Sequence, residues 1–255
     1  MLKTLGCVLL SSSEATPISD HVGAFASRQL AGTPLVDWVV RRATEAQRLS
    51  DVVVIIPRGC NETELRELVP PNVQIFVSEK NDGLAQVCDC LESFPAEAVV
   101  RIRIESPLVD PSLLDRLITA LEGEPAIDYA TFAATDGASL LHAQLGLIAE
   151  YCRSAALTRA NLKATEAGHR SDPMHFVRSH PEEFALRLLP VPKELDRDDL
   201  RLSLKNQEDW EHAEQVVEAL GADELDWHRI ARLLDRQPAL RERMAFLNRN
   251  EVASS

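Results

Sequence analysis

Two short segments hold side chains whose types and positions suit the binding of an anion or a metal ion. Ser11, Ser12 and Ser13 directly follow an apolar run, where hydroxyl and backbone N–H groups suit a phosphate or the edge of a base. A polar turn explains the three serines equally well. In the segment RIRIESPLVDP, Glu105 follows a second apolar run and offers carboxylate oxygens to a divalent cation. Asp110 in the same segment is better interpreted as a helix N-cap.

Two further groups of charged residues have an ordinary explanation beside a functional one. In LDRDDLR, Asp196 and Asp198 form an Asp-Arg-Asp pattern that holds metal–nucleotide complexes in glycosyltransferases, where it ends a strand. Here the pattern precedes an apolar run, which favours a solvated acidic turn. The most basic stretch of the chain suits an anionic substrate, although scattered surface charge explains it as well. Its members are His169, Arg170, His175, Arg178 and His180.

The composition limits the partners of the chain. Its 255 residues include 27 Lys and Arg against 40 Asp and Glu, which gives a formal net charge of −13. This acidity argues against a nucleic-acid-binding surface, because phosphate backbones require a concentrated basic face. Since no apolar run approaches the roughly 20 residues of a membrane helix, we expect a soluble protein without a membrane partner. The five cysteines fit neither a metal knuckle nor a disulfide framework and indicate reduced thiols in the cytoplasm.

The elements that must position these residues alternate between two periodicities in the first half of the chain. Helical patterns begin at N-caps that we predict at Thr33, Asn61, Asp82 and Asp110. Between the helices, runs rich in Val and Ile predict strands that are buried on both faces, over 5–10, 52–56, 73–77 and 99–104. This alternation predicts βαβ units in a mostly parallel, doubly wound α/β sheet.

The second half is less regular and becomes helical towards its end. Its patterns predict strands over 127–132, 184–189 and 200–204, a helix over 146–160 and only helices after Gln207. We therefore expect one domain, with an α/β part over 1–220 and a helical C-terminal appendage over 221–255. In a doubly wound sheet, ligands bind beyond the carboxyl ends of the strands, so we expect the site near the loops over 11–28 and 105–110.

Seven segments, in order along the chain, resemble the motifs of one protein family. They read LAGTPLVDWVVRRA from residue 30, SEKNDGLAQV from 78, RIRIESPLVDP from 101, IDYATF from 127, HPEEF from 180, RLSLKNQEDW from 201 and LLDRQPALRERMAFLNRNE from 233. The family is that of the cytidylyltransferases of surface-polysaccharide biosynthesis, of the acylneuraminate type and especially the spore-coat polysaccharide branch.

The resemblance implies a Rossmann-like fold of the nucleotide-diphospho-sugar transferase type, usually in a homodimer. It also implies that an acidic sugar is activated with CTP and Mg²⁺, with release of pyrophosphate. Glu105 then matches a metal-binding aspartate of the family. For the remaining site residues we predict that the nucleotide contacts Ser11, Ser12, Ser13, Arg28 and Asp82, and that the sugar contacts Arg170 and His175.

Several charged groups of the family's site are replaced in this chain. The loop after the first strand lacks the two arginines and the lysine that the family directs at the phosphates, and Ala24 stands where the lysine belongs. Lys205 takes the place of a second metal-binding aspartate, which reverses the charge there. Ile104 replaces a glycine, and Gln86 replaces an arginine.

These departures leave three hypotheses open. The first is an active cytidylyltransferase or related nucleotidyltransferase with a remodelled loop, in which Arg28 or a nearby cation replaces the missing ones. A lysine at position 205 would offer a fixed charge in place of Mg²⁺. The second is a catalytically inactive relative that binds a nucleotide or a sugar, or that pairs with an active paralogue. The third and weakest is a glycosyltransferase that uses Asp196 and Asp198.

Overall fold

The strands of the first half form where the apolar runs predict them. The structure is a computed structural model that describes residues 3–10, 20–135 and 144–252. The strands in these ranges are β1 (Thr4–Leu9), β2 (Gln29–Leu30), β3 (Thr33–Pro34), β4 (Asp51–Pro57), β5 (Gln74–Ser78), β6 (Ala98–Arg103), β7 (Tyr129–Ala133), β8 (Glu150–Arg153) and β9 (Leu186–Pro190). The four runs predicted in the first half are β1, β4, β5 and β6.

Helices connect the strands and form the C-terminal end of the described chain. They are α1 (Asp20–Ser27), α2 (Leu35–Thr44), α3 (Glu62–Leu68), α4 (Gly83–Ser93), α5 (Pro111–Thr119), α6 (Ser154–Lys163), α7 (Ala167–Ser171), α8 (His175–Ser179), α9 (Gln207–Leu220), α10 (Trp227–Asp235) and α11 (Pro238–Val252). The side chains of Asn61, Asp82 and Asp110 accept hydrogen bonds from first-turn backbone N–H groups, which confirms three predicted N-caps. No helix in the described ranges combines the length and the apolar character that crossing a membrane requires.

Seven of the strands form one sheet in the order β5-β4-β1-β6-β8-β7-β9. β1 pairs in parallel with β4 and β6, and β4 pairs in parallel with β5. β8 runs antiparallel to both β6 and β7, whereas β9 is parallel to β7. The chain first extends the sheet from β1 through β4 to β5 and then returns to the other side of β1 at β6. This topology confirms the prediction of a mostly parallel, doubly wound α/β sheet.

Helices cover both faces of the central strands, which explains why those strands are apolar almost throughout. Cys7 of β1 faces a core that includes residues of α4, α6 and α8, whereas Val8 faces a core that includes residues of α2, α5 and α9. All five cysteines are free thiols. A hydrogen bond with Cys90, together with burial, raises the pKa of Cys7 well above its ordinary value. Cys7 is therefore a structural thiol rather than a nucleophile.

Two elements predicted in the second half are wrong. The predicted helix over 146–160 is strand β8 followed by helix α6, because Glu150 pairs with Arg101 across the β6–β8 ladder. The predicted strand over 200–204 is an irregular segment, although its apolar residues are buried as expected. Its backbone N–H groups bond to loops instead of a ladder, since Leu204 N donates to Glu105 O at 2.7 Å.

The N-cap predicted at Thr33 is also wrong. The residue before the first turn of α2 is Pro34, and no side chain caps the helix there. Thr33 instead pairs with Leu30 in the hairpin that joins β2 to β3. The two turn residues, Ala31 and Gly32, have φ angles of +48° and +79°, as two-residue hairpins require.

The close approach of α7 to the start of α4 depends on Gly83. A Cβ atom at this position would lie 2.4 Å from the carbonyl oxygen of Ser171. We expect Gly83→Ala to lower the free energy of unfolding by about 1–3 kcal/mol, because overpacking at a backbone contact forces the two helices apart. Urea denaturation followed by circular dichroism measures this change.

Gly168→Ala in α7 is the matched control for Gly83→Ala, because a Cβ atom at Gly168 meets nothing within 4 Å. Gly168 is exposed and helical, so its replacement by alanine should be neutral or stabilising by about 0.5–1 kcal/mol. Equal effects of the two substitutions would contradict the role assigned to the contact between Gly83 and Ser171.

Candidate functional site

The order in which the chain adds strands to the sheet reverses at β1, whose neighbours are β4 on one side and β6 on the other. In a doubly wound sheet, ligands bind beyond the carboxyl ends of the strands at this point, which here are the ends of β1 and β6. The last residues of the two strands, Leu9 and Arg103, pair with each other in the ladder. The chain after β1 enters residues 11–19, so the predicted nucleotide-binding residues Ser11, Ser12 and Ser13 lie outside the described residues. The chain after β6 turns through Glu105, which therefore lies at this edge as predicted.

Arg103 and the segment that carries Lys205 lie close to Glu105. The Nη1 atom of Arg103 is 3.9 Å from the Glu105 carboxylate. The carbonyl oxygen of Glu105 accepts the hydrogen bond from Leu204 N described above, which brings the adjacent Lys205 to the same edge. The backbone N–H of Lys205 donates to Asp209 at 2.9 Å, so the segment that carries this lysine is tied to the first turn of α9.

The described residues at this edge do not fit a magnesium ion. Mg²⁺ requires oxygen ligands, which come from carboxylates in most protein sites. Glu105 is a suitable ligand by type, but it pairs with Arg103, and Lys205 stands where the family resemblance implies a second carboxylate. Within the described ranges, no group of three or more His, Cys, Asp or Glu side chains is arranged to hold a metal ion.

Arg28 reaches the same region from the end of α1. Its Nη2 atom donates to the side chain of Gln207 at 2.6 Å, and its guanidinium carbon lies 3.8 Å from the centroid of the Trp210 ring. Phe25 packs edge-on against the same ring. These contacts hold the exposed Arg28 side chain at the start of α9. The first residue of α9, Gln207, is two residues after Lys205. Arg28 therefore lies at the start of the helix that follows the segment of Lys205, and that segment bonds to Glu105.

Beneath this edge, five side chains form a carboxylate network that the sequence interpretation missed. Glu150 is 1% exposed and accepts hydrogen bonds from Tyr129 Oη at 2.7 Å, Arg101 at 3.0 Å and Arg178 at 3.3 Å. Asp172 accepts from Arg101 and from Arg178, each at 2.9 Å. The network joins β6, β7 and β8 to the segment around α8.

The network favours the charged forms of Asp172 and Arg101 and the neutral form of Tyr129. Burial alone would raise the pKa of Asp172, but Arg101 and Arg178 outweigh burial and hold this pKa far below its usual range. Burial opposes the charge on Arg101, but Asp172 and Glu150 outweigh this effect and raise the pKa of Arg101. Burial and the neighbouring Glu150 carboxylate raise the pKa of Tyr129, which therefore remains a hydrogen-bond donor at neutral pH.

Three other predicted site residues have partners within the protein. Asp82 caps α4 through one carboxylate oxygen and accepts from Arg170 Nε at 3.0 Å through the other. Arg170 also donates to the side chain of Asn161. His175 lies with Nδ1 3.0 Å from the carbonyl oxygen of Gly168. Their predicted contacts with a nucleotide or a sugar stay predictions.

In glycosyltransferases the Asp-Arg-Asp pattern ends a strand, but the acidic segment around Asp196 does not end one. It follows a 3₁₀ turn, and Asp196 accepts hydrogen bonds from the backbone and side chain of Thr135. Arg197 forms an ion pair with Asp199, which also accepts from Arg241 at 3.1 Å. These contacts agree with the acidic-turn interpretation.

A family model, related sequences and solved structures that match this chain include cytidylyltransferases in each case. Residues 26–248 match the family model described as "Cytidylyltransferase". The spore coat polysaccharide biosynthesis protein SpsF of Bacillus subtilis is 23% identical over 218 residues, which cover 83% of this chain and 87% of SpsF. A 3-deoxy-manno-octulosonate cytidylyltransferase of Bdellovibrio bacteriovorus is 29% identical over 129 residues, which cover 50% of this chain and 52% of that protein.

Solved structures show the same fold at low sequence identity. A cytidylyltransferase from Leptospira borgpetersenii superposes with a TM-score of 0.76 at 17% identity, over 93% of this chain and 95% of its own. CMP:2-keto-3-deoxy-manno-octonic acid synthetase complexed with CTP gives a TM-score of 0.63 at 10% identity, over 85% and 99% of the two chains. Rv0371c of Mycobacterium tuberculosis, in a complex with manganese, gives 0.57 at 14% identity, over 84% and 98%.

Proposed function

Since the chain belongs to the cytidylyltransferase family, we propose that it binds a cytidine nucleotide at the edge where β1 and β6 end, and that it acts in the activation of a sugar for a surface polysaccharide. The observation that carries this proposal is the reversal of strand order between β1 and β6, because Glu105 and Arg103 lie at the carboxyl ends of these strands. The CTP complex of a structural neighbour and the name of SpsF support the choice of nucleotide and pathway.

The proposed reaction joins the sugar to the nucleotide in one displacement. A hydroxyl oxygen of the sugar attacks the α-phosphorus of CTP, a new P–O bond forms, and the bond to the β-phosphate breaks. Pyrophosphate leaves, and the hydroxyl proton passes to solvent or to the leaving group. Because negative charge develops on the phosphates, fixed cations at the edge are the groups of this chain that favour the transition state. Arg28, Arg103 and Lys205 are the candidates.

A second candidate function is nucleotide binding without transfer, either alone or beside an active paralogue. The observation that favours it is Lys205, which lies next to Glu105 where the family resemblance implies a metal-binding aspartate. Loss of one oxyanion-stabilising donor lowers a rate by about 10²–10³-fold, so several replaced groups together would leave little transfer activity. Binding requires less precise positioning than transfer and would survive these replacements.

Two finer parts of the proposal concern the sugar and the assembly. We take the sugar to be acidic, because the relatives with curated names include cytidylyltransferases of a sugar acid. We take the protein to be a homodimer on the family resemblance, and light scattering on the purified protein measures its mass against the 28.3 kDa of one chain.

We expect CTP to stabilise the protein against heat. At a CTP concentration 100 times Kd, binding adds about 2.7 kcal/mol to the free energy of unfolding, which corresponds to a rise of roughly 5–10 °C in Tm for a chain of this size. Thermal shift with CTP, ATP and GTP measures binding and its base preference, and a pyrophosphate assay with CTP and a panel of sugar acids measures transfer.

The two assays separate the candidate functions. Release of pyrophosphate that requires both CTP and a sugar supports transfer. Stabilisation by CTP without release supports the second candidate. The absence of stabilisation by any of the three nucleotides, with and without Mg²⁺, rejects both.

A further inference from the structure

We propose that Arg103, together with Arg28 and Lys205, binds the phosphates of the nucleotide without a metal ion. These three residues are here called the cationic rim. The proposal rests on the proposed function, since it takes the ligand to be a nucleoside triphosphate at the carboxyl edge of β1 and β6. It adds which groups hold the phosphates and that Mg²⁺ is not required for this binding.

Within the described part of the chain, the guanidinium group of Arg103 makes no hydrogen bond at normal distance. Its ion-pair distances to Glu150, Asp172 and Glu105 are 3.7, 4.0 and 3.9 Å, which are longer than hydrogen bonds. Its Nε atom is buried and has no hydrogen-bond partner in the described part of the chain. A guanidinium group has five N–H donors, and leaving a buried donor unsatisfied is costly. The arrangement therefore suits an arginine that gains its hydrogen bonds from a ligand.

The carboxylate network does not need Arg103 to satisfy its oxygens. Arg101 and Arg178 both donate to Glu150 and to Asp172 at hydrogen-bond distances. Tyr129 donates a further hydrogen bond to Glu150. Two guanidinium groups thus balance two carboxylates, and the charge of Arg103 is in excess within the network.

The described part of this edge carries cations, although the whole chain has a net charge of −13. Arg103 lies at the end of β6, and Lys205 lies beside Glu105 through the bond between Leu204 and Glu105. Arg28 is held near Lys205 by Gln207 and Trp210. The rim therefore brings an arginine within 3.9 Å of Glu105 and places Arg28 near the segment that carries Lys205, which bonds to the backbone of Glu105.

Cations of these types suit a polyphosphate. Arginine presents a planar fork that donates two parallel hydrogen bonds to phosphate oxygens, and lysine acts as a point charge for the same groups. In metal-dependent sites, Mg²⁺ and carboxylates perform this neutralisation. Here the carboxylate set does not fit Mg²⁺, and the rim supplies the positive charge directly.

The decisive experiment is isothermal titration of CTP into the full chain in EDTA and, separately, in Mg²⁺. We expect CTP to bind in EDTA, with affinity that falls from CTP to CMP to cytidine and that weakens as salt is added. Arg103→Met should weaken CTP binding in EDTA by about 10- to 100-fold, the effect of losing a hydrogen-bonded charge. Arg66→Met is the matched control, because Arg66 is an exposed arginine on α3 that pairs with Glu62.

Glu105→Gln should change CTP affinity in the direction opposite to Arg103→Met if Glu105 opposes phosphate binding. The variant therefore separates this role from that of a Mg²⁺ ligand. If the rim binds phosphate without metal, the loss of the Glu105 carboxylate beside Arg103 tightens CTP binding in EDTA. If Glu105 ligates Mg²⁺ for the nucleotide, the same variant weakens CTP binding in Mg²⁺. A sugar acid, 3-deoxy-manno-octulosonate, is titrated in parallel, since its carboxylate is another anion that an arginine binds. Loss of sugar-acid binding in Arg103→Met without loss of CTP binding overturns the phosphate assignment.

The failures of the two proposals are distinguishable. If CTP binds only with Mg²⁺, or if Arg103→Met behaves like Arg66→Met, the metal-free rim is wrong and the proposed function stands. If no nucleotide binds with or without Mg²⁺, both are wrong. Should Arg103→Met not fold, Glu105→Gln and the series from CTP to cytidine decide alone, and equal affinities for CTP and cytidine in EDTA overturn the proposal.

Discussion

We expect Glu150→Ala to lower the free energy of unfolding by about 3–5 kcal/mol, the usual effect of removing one partner from a buried ion pair. Glu150 is 1% exposed and accepts hydrogen bonds from Tyr129, Arg101 and Arg178. Without its carboxylate, the phenol of Tyr129 and part of two guanidinium groups remain buried without a partner. Urea denaturation at pH 7, followed by circular dichroism, measures the change.

Glu62→Ala is the matched control for Glu150→Ala. Glu62 forms an ion pair with Arg66 one helical turn away in α3, and both side chains are about half exposed. Exposed pairs of this kind contribute about 0–1 kcal/mol, because water solvates both partners when the pair is broken. A loss in Glu150→Ala no larger than that in Glu62→Ala would show that the carboxylate network does not stabilise the fold.

The sheet was predictable because its central strands carry their own signal. β1, β4, β5 and β6 are apolar runs separated by N-caps such as Asp82 and Asp110, and helices cover both faces of the sheet. The edge that holds Glu105 followed from the order of these elements. The segments around Gly146 and over 200–204 were not predictable, because long-range contacts decide their structure and sequence periodicity does not report such contacts.

The carboxylate network was missed because its members come from distant parts of the chain. Glu150 fell within a predicted helix, where it cannot pair with Arg101 across a ladder. One signal was available in the sequence, since Arg101 and Arg103 alternate with apolar residues in β6 and must share one face of a buried strand. Buried arginines require anionic partners. The pattern indicated that carboxylates lie opposite β6, although it did not identify them.

The placement of Arg28 and Lys205 could be tested only by the structure. The sequence showed that the loop after β1 lacks the family's cations, and it left open whether cations from elsewhere replace them. Contacts with Gln207 and Trp210 bring Arg28 to the start of α9, and the bond between Leu204 and Glu105 brings Lys205 to the same edge. The first contact joins segments about 180 residues apart in the chain, and the second joins segments about 100 residues apart.

Acid should destabilise the protein through Asp172, and Asp172→Asn should remove this part of the pH dependence. Arg101 and Arg178 hold the pKa of Asp172 far below its usual range although burial acts in the opposite direction. An aspartate in an unfolded chain has a pKa of about 3.9. The stabilisation is therefore fully present above about pH 4 and is lost as the pH falls below that value towards the folded-state pKa. In that range this single carboxylate contributes a loss of about 1.4 kcal/mol per pH unit.

Comparison of the wild type with Asp172→Asn isolates this contribution, because other carboxylates titrate alike in both proteins. At pH 7 the variant should be less stable by about 3–5 kcal/mol, since Arg101 and Arg178 lose a charged partner. As the pH falls from 4 towards 2, the difference in the free energy of unfolding should narrow. Folded wild type keeps Asp172 charged whereas its unfolded chain binds a proton there, so acid lowers the stability of the wild type and spares the variant. Asp223→Asn, at an exposed residue of a 3₁₀ turn, should show no such narrowing. Urea denaturation across the pH range tests this prediction. If the difference in the free energy of unfolding between the wild type and Asp172→Asn stays constant with pH, the two arginines do not hold Asp172 in its charged form.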